Sequence, residues 1–133
     1  MGDGASRTKV AVNLEFVGES EPTGGESTRT FRVTVRGQFA DLTPKAKAFL
    51  ERHVDEHDMF RARFTAEGTF TYDRALKFFN LRYEVREVET VESSARAVER
   101  ALFEAEMFLS TMQIGFSRLR AAAVMDMSAM TER

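Results

Sequence analysis

His53 and His57, set four residues apart in the run His53-Val54-Asp55-Glu56-His57, are the side chains of this sequence best suited to acid–base chemistry. Letter by letter the run matches the H-x-x-E-H signature, in which two histidines one helical turn apart hold zinc and the glutamate acts as base. Glu56, however, falls about 100° of helical rotation from His57 and on the polar side, and no third protein ligand is evident, so no metal site is expected. The chemistry that remains is proton transfer, because an imidazole that titrates near neutral pH can accept a proton while a phenol polarises a carbonyl. Tyr72 and Tyr83 supply the phenols, since both alternate onto the inward side of predicted strands. The candidate catalytic set is therefore His53, His57, Tyr72 and Tyr83. Phe49, Phe64, Phe70 and Met125 are the expected apolar wall of a ligand pocket between the first helix and the sheet.

Composition removes other chemistries. The 133 residues include no cysteine, which excludes disulfides, thiol nucleophiles and thiolate metal sites. A glycine-rich phosphate loop, a nucleophile elbow and a paired-carboxylate motif are all missing from the sequence, so no cofactor is expected. The formal net charge of −2 argues against a general polyanion binder. No apolar run approaches the roughly 18 residues of a membrane helix, and the opening Met-Gly-Asp-Gly-Ala-Ser lacks the apolar core of a secretory signal. A cytoplasmic protein without membrane contact is the expectation.

The elements that must position these side chains follow from periodicity. Val10, Val12, Leu14 and Phe16 alternate as a strand, and the polar, glycine-rich stretch from Gly18 to Thr28 reads as a flexible loop; together they set residues 1–29 apart from a single α+β domain over 30–133. Phe31, Val33 and Val35 alternate with Arg32, Thr34 and Arg36 as the next strand. Asp41 or Thr43, followed by Pro44, starts a first helix whose apolar stripe runs through Ala46, Phe49, Leu50, His53, Val54 and His57. From Met59 to Asp73, two alternating arms about Ala66-Glu67-Gly68 predict a hairpin with Phe60, Phe64, Phe70 and Tyr72 inward. Leu81, Tyr83 and Val85 make a further strand. A second helix over about Glu92 to Met112 buries Ala95, Val98, Ala101, Leu102, Ala105, Phe108 and Leu109, and a last strand carries Leu119, Ala121, Ala123, Met125 and Met127 on one face.

This order is that of a split β-α-β unit, and it predicts a ferredoxin-like two-layer sandwich: an antiparallel sheet with two helices on one face and an extra amino-terminal strand. The arginines Arg32, Arg36, Arg61, Arg63, Arg82, Arg86, Arg118 and Arg120 are left for the uncovered face. Phe103 and Met107 on the outer side of the second helix point to a homodimer.

The segments Phe31-Arg-Val-Thr-Val-Arg-Gly37, Glu56-His57-Asp58, Arg61-Ala-Arg-Phe-Thr-Ala-Glu-Gly68 and Thr71-Tyr72-Asp73 resemble a family of small actinobacterial proteins of unknown function, over roughly residues 31–127. The resemblance implies a segment that folds alone and a setting in which such proteins serve specialised metabolism; it carries no catalytic residues. The functional expectation is a protein that binds a small hydrophobic metabolite, with a cofactor-independent cyclase or isomerase as its catalytic form. The alternative is a non-catalytic binding or interaction module. Anion or RNA binding through the arginine face ranks below both, because that face offers no aromatics on which bases could stack.

Overall fold

The computed structural model describes residues 27–128. The expected strand at Val10–Phe16 and the loop from Gly18 to Glu26 lie outside the described residues. In chain order the elements are β1 (Thr28–Phe39), α1 (Pro44–Arg52), β2 (Thr69–Tyr72), β3 (Phe78–Val88), α2 (Ser93–Thr111) and β4 (Phe116–Asp126), with short 3-10 turns at Val54–His57 and Met59–Arg61. The strands form one open antiparallel sheet in the order β2-β3-β1-β4. Strand alternation divides it into two sides. Phe31, Val33 and Val35 of β1 and Phe79, Leu81, Tyr83 and Val85 of β3 are buried with Leu50 of α1 and Ala97, Ala101, Ala105 and Leu109 of α2.

Local chemistry explains the boundaries. The Thr43 hydroxyl accepts from Ala46 N at 3.0 Å and Pro44 occupies the first turn of α1, as its sequence requires. The helix stops at Arg52, where His53 takes φ −108°, ψ 17° and the chain tightens into the 3-10 turn. His53 and His57 therefore do not share one α-helical stripe. Along α2 the buried residues are Ser93, Ala97, Ala101, Ala105 and Leu109. The stripe is rotated from the expected one, leaving Ala95 exposed. Three alanines in the series let the helix approach the sheet closely, while Leu102 and Phe108 flank the contact half-buried. Gly37 does the same within the sheet: a Cβ there would lie 2.5 Å from the Phe79 ring, which crosses beneath it.

Two expectations are corrected. The first arm of the hairpin from Met59 to Asp73 is not a strand. The Asp58 carboxylate accepts from Phe60 N at 2.8 Å and closes a 3-10 turn, so Phe60 is 99% exposed. Thr65 then makes a lone parallel bridge to Tyr83, and its Oγ1 accepts from Gly68 N at 2.9 Å, which turns the chain into β2. The true hairpin joins β2 to β3, with the Asp73 carboxylate accepting from Lys77 N and Phe78 N. The second correction concerns β4. Thr34 faces Ala123 but Val35 faces Ala121, so one extra residue separates the two halves of the strand. Leu119 and Ala121 pack on the core, whereas Ala123 and Met125 turn to the uncovered side.

Candidate functional site

The four histidine and tyrosine candidates fall into separate settings. His57 Nδ1 lies 2.9 Å from the Phe70 carbonyl oxygen; since a carbonyl only accepts, Nδ1 carries the proton and donates. Its ring stacks on Tyr72 with centroids 5.3 Å apart. The Tyr72 hydroxyl donates to the Leu50 carbonyl at 2.7 Å, and burial, then the charge of Glu56, pushes it up to about 12. His53 lies apart, with its ring 4.6 Å from that of Phe49 and Nδ1 at 3.1 Å from Glu56 Oε1. Glu56, the base of the zinc-like signature, is thus a partner of His53, and among the described residues no group of three metal-binding side chains occurs.

Tyr83 is elsewhere. Tyr72 pairs with Phe79 in the sheet, and Tyr83 follows Phe79 by four residues, about 13 Å along β3. Its buried hydroxyl is raised by desolvation, then by the charge of Glu104, whose own carboxyl is raised by burial. The structure brings together His57, Tyr72 and Phe70, and separates them from Tyr83. The apolar candidates divide as well. Phe49 and Phe70 belong to the helix side, whereas Phe64 sits under the Arg32 guanidinium at 5.4 Å and Met125 faces Arg32 across β1–β4.

The uncovered side holds a more pointed arrangement. Arg36 of β1 and Arg120 of β4 are direct register partners, and with Arg118, Gln38, Phe78 and Leu119 they line a recess of about 350 Å³. The Arg36 guanidinium lies 4.6 Å over the Phe78 ring. Close by, Arg82 donates to Thr71 Oγ1 at 2.9 Å and has its pKa lowered by burial and by the positive charge of Arg36. Some other arginines are neutralised: Arg29 reaches Glu89 and Asp126, Arg32 reaches Glu84, and Arg100 reaches Glu87. Among the described residues Arg36, Arg82, Arg118 and Arg120 have no carboxylate partner.

Local backbone builds this recess. A second register shift, between Arg36 and Gln38, is accompanied by Arg118 in the left-handed region at φ 57°, a conformation unusual for a long side chain. Like charges placed directly across a sheet are unfavourable, and Arg36 and Arg120 stand in that relation. Guanidinium forks match carboxylate and phosphate oxygens, and Phe78 adds an apolar wall. The lining offers the guanidinium donors of Arg36, Arg118 and Arg120. Sequence reasoning placed Arg36, Arg118 and Arg120 on this face but missed the recess, because the register shifts that assemble it leave no periodic signal.

Comparison with other proteins adds the family alone. No curated protein and no solved structure matches this chain. Residues 26–133 match the model of a family of unknown function, DUF6204, and since the match spans most of the chain, the protein belongs to that family.

Proposed function

We propose that this protein binds a small amphipathic organic anion, a carboxylate or phosphate ester with an apolar body, in the recess of the uncovered sheet face. The observation that carries the reading is the facing pair Arg36 and Arg120, joined by Arg118 and without a carboxylate partner among the described residues, beside Phe78. A volume of about 350 Å³ suits a ligand of metabolite size. This keeps the expectation of a small, partly hydrophobic ligand and moves it to the opposite side of the sheet. The strand order β2-β3-β1-β4, with β3 between two strands that run the same way, also supports a ferredoxin-like reading of the fold.

Titration of the full chain with acetate, benzoate and benzamide, followed by nuclear magnetic resonance, tests the reading. Benzoate is expected to bind more tightly than either control and to shift Arg36, Phe78 and Arg120 signals. Equal binding of benzamide, or shifts confined to His57 and Tyr72, would refute it.

A second reading is a cofactor-independent cyclase or isomerase acting on a hydrophobic metabolite. It rests on His57, whose Nδ1–H bond to Phe70 leaves Nε2 as the basic nitrogen beside the Tyr72 ring. The Tyr72 hydroxyl, already donating to Leu50, supports it less well. A folded His57→Ala variant that converts substrate as fast as the native protein would remove this reading.

A further inference from the structure

A second recess, of about 430 Å³, opens between α1 and the turn that joins β2 to β3, on the side of the sheet away from the arginine recess. Most of its lining is polar, but Phe39, Leu42 and Leu76 line its base and pack against the core. Its rim is charged with both signs, by Asp41, Lys47, Glu51 and Arg74. Arg74 pairs with Asp55, but Asp41, Lys47 and Glu51 have no ion-pair partner among the described residues. Lys47 and Glu51 are one turn apart on α1, a spacing at which such residues commonly pair; here they remain apart above an apolar floor. Two residues of the lining are also held in the left-handed region, Asp41 at φ 51° and Leu76 at φ 58°. The turn Asp73–Lys77, closed by Leu76 N donating to Asp73 O at 3.0 Å, keeps Leu76 on the floor.

We infer that this recess binds a zwitterion with an apolar side chain, a free amino acid. Lys47 meets its carboxylate, Glu51 and Asp41 meet its ammonium, and Phe39, Leu42 and Leu76 hold its side chain. An anion alone would face two carboxylates, and a cation alone would face Lys47 and Arg74. A ligand carrying both charges meets opposite charge at each end, and its apolar part removes water from the floor.

The experiment titrates the full chain with L-phenylalanine, L-leucine, phenylacetate and phenethylamine, reading amide and methyl shifts together with calorimetry. Either amino acid is expected to bind at least about tenfold more tightly than both single-charge analogues, a difference of about 1.4 kcal/mol, and to shift Leu42, Lys47 and Leu76. Lys47→Met and Glu51→Gln are each expected to weaken it by about tenfold without moving the melting temperature, since both side chains are exposed. N-acetyl-leucine, which lacks the ammonium, and leucinamide, which lacks the carboxylate, are each expected to bind at least about tenfold more weakly than L-leucine, and equal binding of either would overturn the inference. Binding of neither amino acid at tens of millimolar, equal binding of phenylacetate or phenethylamine, or shifts confined to Arg36 and Phe78 would overturn the inference.

Discussion

The two sides of the sheet are made from the same strands, residue by alternating residue, and they do opposite things. On the helix side the central strand positions are closed: Phe79 touches the Phe39 and Phe70 rings, Val33 and Leu81 are buried, and His57 and Tyr72 spend polar atoms on the Phe70 and Leu50 carbonyls. On the other side the charges are left partly unspent. Arg32 has Glu84, yet four residues further along β1 Arg36 faces Arg120. The difference teaches that the packing which holds the molecule together lies on the helix side, while the uncovered side carries facing like charges that do not contribute to it.

Substitutions can break this contrast, and the largest effects belong to the helix side. Phe79→Ala is expected to cost about 3–5 kcal/mol of unfolding free energy, because it removes a fully buried ring that packs on Phe39 and Phe70. Chemical denaturation measures it; a loss below about 1 kcal/mol would show that the core is not where the packing places it.

Next in size is the uncovered side, where stability and binding should separate. The double variant Arg36→Ala, Arg120→Ala is expected to weaken benzoate binding by about a hundredfold, some 2.7 kcal/mol, while stability stays level or rises because two facing like charges are removed. Calorimetry with a parallel melt checks both halves. A drop in stability without loss of binding would invert the comparison.

Gly68 sharpens the boundary of the core. It stands at φ 93°, and a Cβ there would lie 2.3 Å from the buried Tyr83 ring, so Gly68→Ala combines backbone strain with a clash and is expected to cost about 1–3 kcal/mol. Its thermal melt should shift down while anion binding is kept.

The smallest effect is the loss of one hydroxyl. Tyr72→Phe removes the hydrogen bond to the Leu50 carbonyl and is expected to cost about 1 kcal/mol at neutral pH. The alkaline limb gives a second check. Folding raises the Tyr72 pKa from 10.0 to about 12, so its protonated form is favoured by the fold. That stabilisation is complete below pH 10 and disappears as pH climbs from about 10 to about 12. Stability of the native protein should therefore fall through this window, and that of Tyr72→Phe should fall less steeply.

Alternation made the strands β1 and β3 legible, with their buried and open residues assigned correctly, because a strand with one covered face must repeat every two residues. Thr43 and Pro44 announced the start of α1 for an equally local reason. The same reasoning over-read Phe60 to Phe64, where a period of two is present but the Asp58 cap captures the chain in a 3-10 turn and leaves Phe60 in solvent. It also carried His53 and His57 along one helix, although the helix ends between Arg52 and His53.

What the sequence by itself determined is the side of the sheet on which most residues stand, since that depends on chain periodicity alone. Which of them meet was decided only in the tertiary structure. A one-residue register shift sends Met125 and Ala123 to the open side and brings no local signature with it, because it exists only in the pairing of β4 with β1. Arg36 and Arg120 lie 84 positions apart in the chain, and the contact between them exists only because β1 and β4 pair in that register.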